Sequence, residues 1–354
     1  MVPAVFAIPG DIASPTGGYA YARRVQPLFA GEGVDVSHLV LPDSFPHPGE
    51  ADLAATRRLL AEAARNSVLL VDGLALGAIP PALIADIAPR IVALVHHPLG
   101  LETGLHEARA RELLANEAAV LALCPRIVAT SRTTARTLVA DFGVAEAQVS
   151  VAEPGTDPAP PARGSDPGQP LALLAVGSVS PRKAYRLLVE ALADIPRTLE
   201  WRLVIAGSDR DVDETGALRA LIAERGLRAR VEIAGPVPEE ALAALYDGAD
   251  LFVSASLYEG YGMVLAEAMA RGLPMVVSTG GAAAQTVPDA AALKVPPGDV
   301  AALRSGLEAA IGDKNLRARL AAESARAGAA LPRWEDTARV LARAIVDIGL
   351  EKAQ

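Results

Sequence analysis

The chain has 354 residues, which is more than one hydrophobic core usually organises, so its length favours two domains. Its net charge of −9 has the wrong sign for a general electrostatic attraction to nucleic acid or to an anionic membrane. The single cysteine, Cys124, excludes an internal disulfide, and nothing indicates an oxidising compartment. We therefore expect a cytoplasmic protein without a nucleic-acid partner. Peripheral contact with the inner membrane face is compatible with this sequence but not indicated by it.

The first half of the chain alternates short apolar runs with helical patterns. It begins with MVPAVFAIPG, where no basic segment precedes the apolar run, so we expect a first strand and not a secretory signal. Three further runs predict buried strands: SVLLVDG, RIVALVHHP and RIVATS. Helical patterns cover residues 52–66, 107–123 and 132–141, the last with Ser131 as N-cap. The apolar stretch 67–99 is too interrupted to span a membrane.

A surface linker is predicted at residues 154–170, where PGTDPAPPARGSDPGQP lacks apolar periodicity. We place the domain boundary there, with a first domain at 1–160 and a second at 161–332. New strands follow in the second domain: LALLAVGSVS, WRLVIAGS, RVEIAG, DLFVSAS and LPMVVSTGG. The alternation with helices predicts a mostly parallel sheet in each domain. A final helix, 333–354, is expected to pack back on the first domain.

The stretch EGYGMVLAE, residues 259–267, carries the clearest chemical signal. It joins a predicted strand to the helix 263–271, at the carboxyl edge of the second sheet, where ligands of parallel sheets bind. Its glycines let a ligand approach the backbone, and the first amides of the helix form a site for phosphate. The residues predicted to bind there are Gly260, Tyr261, Gly262, Met263 and Val264.

Two glutamates flank this turn and need partners other than phosphate, which would repel them. Sugar hydroxyls are suitable partners. Glu267 lies about 7 Å along the helix axis and leans back towards the helix start, so it can reach the diol of a ribose. Glu259 addresses the other end of such a ligand, where a donor sugar is attached. The ordinary alternatives are a surface ion pair between Glu267 and Arg271 and a solvated loop carboxylate at Glu259.

The stretch from Gly235 to Gly281 resembles the E-x7-E region of retaining glycosyltransferases of the GT-B fold, in particular glycosyltransferase family four. Weaker correspondences cover nearly the whole chain. The resemblance implies an α/β fold of two Rossmann-like, doubly wound domains that face each other across a cleft. It also implies transfer of a sugar from a nucleotide diphosphate sugar to an acceptor hydroxyl with retention of configuration, as in hexosyltransferases. Glu259 is then a catalytic residue at the transferred sugar, and Glu267 holds the ribose.

Other family positions also have counterparts in the second domain. Lys183 matches the catalytic lysine that touches the donor diphosphate, on which negative charge develops as the glycosidic bond breaks. Two neighbouring positions depart from the pattern, with Ser178 instead of arginine and Ala184 instead of glycine, so Arg182 is expected to supply the second positive charge. The base of the nucleotide is expected near Gly235 and Val237, held through backbone groups. No metal or other cofactor is expected.

In the first domain, Gly17 and Gly18 form a glycine-rich first loop that is expected to approach the donor diphosphate or the acceptor. The resemblance implies that His96 is a catalytic residue that faces the sugar or phosphate. His96 and His97 are not expected to face the cleft together, because neighbouring side chains of an extended backbone point in opposite directions. The resemblance at the end of the strand favours His96. Metal binding by this pair is not favoured, since no other histidine or cysteine stands at ligand spacing.

Two further motifs are interpreted as structural. Asp209 and Asp211 imitate the metal-binding D-x-D of another glycosyltransferase architecture, but they follow a strand in a polar turn and are expected to be loop residues. The turn at 155–157 resembles the hinge-side turn of the family.

Two alternative functions stay open from the sequence. One is a nucleotide-sugar epimerase on the same fold, and the other is a donor-binding protein without transferase activity, for which Ser178 is a weak argument. A nicotinamide dehydrogenase is not favoured, because the first strand-to-helix turn lacks G-x-G-x-x-G. The expected partners are a nucleotide-sugar donor and an acceptor that is a sugar, a lipid or a small molecule.

Overall fold

The computed structural model describes residues 1–14 and 16–351. Its contacts divide the chain into two compact units. The first unit comprises Met1–Gly155 together with the C-terminal segment that starts at Pro332, and the second comprises Thr156–Leu331.

The first unit contains a six-stranded parallel sheet with helices in its connections. Its strands are β1 (Val2–Pro9), β2 (Val34–Leu41), β3 (Val68–Asp72), β4 (Ile91–Val95), β5 (Arg126–Ala129) and β6 (Val149–Val151). Its helices are α1 (Gly17–Val25), α2 (Glu50–Ala63), α3 (Gly73–Leu76), α4 (Glu107–Leu121) and α5 (Arg132–Asp141). The strand order is β2-β1-β3-β4-β5-β6. The chain winds outwards on either side of β1 and β3, so their carboxyl ends border a crevice.

The second unit repeats this architecture. Its strands are β7 (Leu171–Val176), β8 (Trp201–Ala206), β9 (Val231–Gly235), β10 (Leu251–Ser254), β11 (Met275–Ser278) and β12 (Ala292–Val295). Its helices are α6 (Tyr185–Ala193), α7 (Val212–Glu224), α8 (Glu239–Asp247), α9 (Met263–Ala270), α10 (Ala283–Thr286), α11 (Val300–Gly312) and α12 (Lys314–Ala329). The order is β12-β11-β10-β7-β8-β9, so the reversal lies between β7 and β10.

The predicted α/β class and parallel sheets are confirmed, and the differences concern the sheet edges. Every interior strand of both sheets was marked by an apolar run, but the edge strands β2, β6 and β12 were missed. Edge strands meet solvent, so β2 alternates polar and apolar residues, while β6 and β12 have only three and four residues. The helices predicted in the first half are present, and Ser131 caps α5 by accepting a hydrogen bond from the Thr134 amide at 3.0 Å.

The final helix, α13 (Trp334–Glu351), packs on the first unit, as predicted. Residues 352–354 of the predicted segment lie outside the described residues. The Trp334 ring meets Tyr21 edge-on, with ring centroids 5.8 Å apart. The hydroxyl of Thr337 donates a hydrogen bond of 2.7 Å to the carbonyl oxygen of Glu153. Gly155 lies directly against the start of the helix, where a Cβ atom would overlap the main chain of Trp334. The small residue at position 155 therefore allows the helix to dock.

We expect Gly155→Ala to lower the free energy of unfolding by about 1–3 kcal/mol, because the added methyl group must push two main-chain segments apart. Urea unfolding followed by circular dichroism measures this. Gly31→Ala is the matched control, since no atom lies within 4 Å of the added methyl group there. Equal unfolding free energies for the two variants would contradict the close packing described for Gly155.

Candidate active site

A buried ion pair lies at the carboxyl edge of the second sheet, beside the point where the strand order reverses. Lys183 belongs to the 3₁₀ turn Pro181–Lys183 after β7, and Glu259 lies in the loop after β10. The Nζ atom of Lys183 is 2.6 Å from Oε1 of Glu259, and the two residues are only 8% and 5% exposed. The Arg182 guanidinium lies 3.3 Å from Oε2 of the same carboxylate. One carboxylate therefore contacts two cations from the opposite loop.

Main-chain contacts fix the loop that carries Glu259. Arg182 donates a hydrogen bond of 2.8 Å to the carbonyl oxygen of Tyr258, and the amide of Leu257 donates back to the carbonyl oxygen of Arg182 at 2.8 Å. Glu259 also pairs as a short parallel bridge with Gly281. Gly281 has φ of +61°, and a Cβ atom there would overlap the carbonyl oxygen of Glu259. This glycine is required for the bridge that holds the carboxylate in place.

The stem of Lys183 lies over the backbone at the end of β7. A Cβ atom on Gly177 would be 2.7 Å from Cε of the lysine, so glycine allows the close approach. The hydroxyl of Tyr185 donates a 3.0 Å hydrogen bond to the Gly177 carbonyl oxygen. Ala184, where the resembling family has glycine, adopts the left-handed conformation with φ of 51°. The chain thus keeps the turn that glycine prefers although the residue differs.

The two cations decide the protonation of Glu259. Burial alone raises the pKa of a carboxyl group, but the charges of Lys183 and Arg182, together with hydrogen bonds from Lys183 and Ser256, outweigh this effect and lower the pKa of Glu259 below its ordinary value. The carboxylate is therefore ionised at neutral pH.

The second glutamate, Glu267 on α9, has a different environment. Its Oε2 atom accepts a 2.8 Å hydrogen bond from the hydroxyl of Tyr246 on α8. Arg271 lies over the Tyr246 ring at 4.4 Å and donates to the main-chain oxygen of Glu267, so its hydrogen bond goes to the backbone and not to the carboxylate. Burial raises the pKa of Glu267, with the Tyr246 hydrogen bond and the Arg271 charge acting in the opposite direction.

The start of α9 has the geometry of an anion site. Gly262 precedes the helix in the left-handed conformation with φ of 92°, and the amides of Leu265 and Ala266 donate to its carbonyl oxygen. The amides of Gly262, Met263 and Val264 therefore stand outside the hydrogen bonds of the helix itself. Gly260 and Tyr261 complete the turn, and the Tyr261 carbonyl oxygen accepts a 2.6 Å hydrogen bond from the Thr286 hydroxyl.

The predicted base-binding residues lie elsewhere on the same edge. Gly235 ends β9, and Val237 follows it, two strands away from β7. Asp209 approaches Arg219 at 3.4 Å, and Asp211 caps α7 by accepting from the Glu214 amide at 3.0 Å. Both aspartates thus have structural partners. Within residues 1–14 and 16–351, no three histidine, cysteine, aspartate or glutamate side chains gather as a possible metal site.

In the first unit, Gly17 and Gly18 are the first two residues of helix α1 and not part of a loop as predicted, and the structure brings Gly18 and His96 together. A Cβ atom on Gly18 would lie 3.6 Å from Nε2 of His96, whereas nothing lies within 4 Å of such an atom on Gly17. The two histidines follow the end of β4 in a bend and have separate surroundings: Nε2 of His97 is 3.8 Å from Glu102, while that of His96 is 3.4 Å from Asp72.

Sequence reasoning missed two partners of these side chains. Asp72 ends the apolar run SVLLVDG, and its position at the carboxyl end of a buried strand was the signal that could have revealed it. Tyr246 lies in an apolar helical pattern that gives no local sign of a polar role.

None of the helices in the described ranges is both long enough and apolar enough to cross a membrane.

Comparison with known proteins agrees with this architecture. Residues 161–327 match the family described as glycosyl transferases group 1, and residues 11–160 match glycosyltransferase family 4. The chain is 33% identical over 241 residues to D-inositol 3-phosphate glycosyltransferase from Nocardia farcinica, covering 64% of this chain and 53% of that protein. It spans about half the length of the curated relatives it matches first.

Solved structures show the same fold. Sucrose-phosphate synthase from Thermosynechococcus elongatus is 22% identical with a TM-score of 0.79, and each chain is covered completely. Anabaena HepE in complex with UDP and glucose is 17% identical with a TM-score of 0.70, over 100% of this chain and 98% of that one. Two Rossmann-like units of this kind define the GT-B fold. The chain belongs to the GT-B glycosyltransferases of the family four type.

Because the folded state lowers the pKa of Glu259, its ionisation contributes stability that is present above the unfolded pKa of about 4.3 and is lost as the pH falls through the folded value. We expect Glu259→Gln to lower the free energy of unfolding near neutral pH by about 3 kcal/mol, since it leaves buried Lys183 without its counter-charge. We also expect the variant to lose part of the acid sensitivity of the parent protein.

Urea unfolding at several pH values measures both effects. Glu308→Gln, on the exposed surface of α11, is the control and should change neither quantity. An unchanged acid slope in Glu259→Gln would show that the ion pair does not stabilise the fold.

Proposed function

We propose that this protein transfers a sugar from a nucleotide diphosphate sugar to an acceptor hydroxyl with retention of anomeric configuration. The observation that carries the proposal is the buried contact of Lys183 and Arg182 with Glu259, next to the start of α9 and at the switch point of the second sheet. The comparisons support it, because the relatives are named as glycosyltransferases and the HepE structure contains UDP and glucose.

The donor diphosphate is proposed to bind between Lys183 and the first amides of α9. An ammonium group has three N–H donors, and Glu259 uses one of those on Lys183, which leaves two for phosphate oxygens. The helix amides add fixed dipoles that need no rearrangement. Negative charge grows on the diphosphate as the glycosidic bond breaks, so these groups stabilise the transition state more than the substrate. The mechanism relies on side-chain cations and does not call on a metal ion.

The ribose is proposed to bind Glu267 through its two hydroxyl groups. The Tyr246 hydroxyl occupies one carboxyl oxygen and fixes the side chain, and the remaining acceptor positions face the diol. The base is proposed to lie against the backbone of Gly235 and Val237, on the same edge of the sheet.

Retention is proposed from the family resemblance, and the state of Glu259 bears on the route by which it occurs. A double displacement needs a carboxylate that attacks the anomeric carbon, and the contacts to two cations make this carboxylate a weak nucleophile. We therefore propose that the acceptor hydroxyl attacks on the face from which the diphosphate leaves and passes its proton to a departing phosphate oxygen. Glu259 orients the sugar and Lys183. In the first unit, Gly17, Gly18 and His96 are proposed to contact the transferred sugar or the acceptor.

Lys183→Met should reduce kcat by a factor of about 10² to 10³, the usual effect of removing one preorganised donor from a developing anion. Lys314→Met is the matched control, because Lys314 is exposed at the start of α12. Donor turnover is measured with UDP- and GDP-sugars and a panel of sugar acceptors. Equal rates for the two variants would remove Lys183 from the mechanism.

Glu267→Gln should weaken nucleotide binding only where a ribose diol is present. Calorimetric titration compares UDP and GDP with their 2′,3′-dideoxy forms. We expect the parent protein to prefer the ribose forms by about tenfold, as for a hydrogen bond to a charged group, and the variant to bind both forms almost equally. If the preference survives in Glu267→Gln, the ribose lies elsewhere.

Product analysis separates the alternatives. Transfer with retention gives a product whose anomeric proton coupling matches that of the donor. An epimerase would convert the donor without an acceptor, and a binding protein would bind nucleotide without releasing sugar.

A further inference from the structure

A second acid–base contact lies in the first unit, at the reversal point of its sheet. Asp72 is the last residue of β3 and is 3% exposed. Its Oδ1 atom accepts a 2.8 Å hydrogen bond from the Leu74 amide and so caps α3. Its Oδ2 atom lies 3.4 Å from Nε2 of His96, which follows the neighbouring strand β4. The topology of the parallel sheet brings these two side chains to the same edge.

The surroundings of His96 indicate which ring nitrogen carries the proton. Its Nε2 atom is buried and forms no hydrogen bond with any described residue. The Tyr21 ring meets the imidazole edge-on at 5.1 Å, and Gly18 borders the Nε2 side of the ring. If Nε2 carried a lone pair, it would face the lone pairs of the Asp72 carboxylate and be repelled. An N–H group there is attracted instead, and such contacts often tighten to full hydrogen bonds when a ligand binds.

Several contacts hold the ring and the main chain of His96 in place. The hydroxyl of Tyr21 donates to the Ala152 carbonyl oxygen at 3.0 Å, which fixes the ring that packs on His96. The carbonyl oxygen of His96 lies 3.4 Å from the hydroxyls of both Thr130 and Thr134, which donate to it. The threonines therefore hold the main chain of His96, while Tyr21 packs on its ring.

We propose that Asp72 is a positioning residue that holds His96 as the neutral tautomer with its proton on Nε2, so that Nδ1 presents a lone pair to a hydroxyl group of a bound sugar. A lone pair accepts a hydrogen bond from a hydroxyl and repels a phosphate oxygen. This inference rests on the proposed function in one respect, namely that His96 faces a substrate.

The direct test is nitrogen-15 NMR of the histidine side chains in the intact protein, with His96→Gln used to assign the His96 signals. We expect His96 to show a protonated Nε2 and an unprotonated Nδ1 near neutral pH. In Asp72→Asn the cap on α3 is retained, but the side-chain amide can donate to Nε2, so the proton should move to Nδ1. A parent protein with the proton on Nδ1, or a tautomer unchanged by Asp72→Asn, would overturn the inference.

Kinetics then test the link to the reaction. Asp72→Asn should lower kcat roughly tenfold to hundredfold, as for other residues that orient a functional histidine, with the KM for the donor unchanged. The same substitution in a His96→Gln background should have no further effect, because Asp72 acts through His96. Asp43→Asn is the control; it removes another carboxylate, located after β2, and should leave kcat unchanged.

The outcomes of the two proposals can be told apart. Additive effects of Asp72→Asn and His96→Gln would contradict the positioning role even if transfer occurs. If neither the parent protein nor any variant transfers sugar, the proposed function fails. The NMR result still shows which ring nitrogen of His96 carries the proton.

Discussion

The contact between the Lys183 ammonium and the Glu259 carboxylate is the interaction on which the second unit depends. Both charges are buried, and a buried charge is costly unless an opposite charge and hydrogen bonds compensate it. The pair joins the loops after β7 and β10, the two strands between which the sheet reverses. The close approaches at Gly177 and Gly281 make room for the lysine stem and for the bridge that carries Glu259. The two glycines and the charge pair therefore stabilise the same loop geometry.

The two units place a carboxylate next to a nitrogen group at corresponding positions. Each sheet reverses its strand order once, and in each a carboxylate lies near the carboxyl end of a strand at the reversal. In the second unit Glu259 contacts the ammonium of Lys183, and in the first Asp72 faces the imidazole of His96. A carboxylate in this position orients a nitrogen group without being consumed. The resulting chemistry differs, because an ammonium group only donates hydrogen bonds whereas a neutral imidazole also accepts them.

The sequence predicted what depends on local pattern and missed what depends on distant pairing. Interior strands are buried on both faces and appear as continuous apolar runs, while the edge strand β2 is half exposed and shows no such run. The motif around Glu259 and Glu267 was visible because it is contiguous. The contact of Glu259 with Lys183 joins residues 76 apart, and that of Glu267 with Tyr246 joins residues 21 apart, so neither was apparent from the chain alone.

A crystal structure of the protein with bound UDP or GDP tests the central claim most directly. The account predicts that the terminal phosphate lies within hydrogen-bond distance of the Lys183 ammonium, while Glu259 keeps its contact with that group. It also predicts that the ribose hydroxyls donate to Glu267. A nucleotide bound with its diphosphate away from Lys183 and the first turn of α9, or with its ribose turned from Glu267, would contradict it.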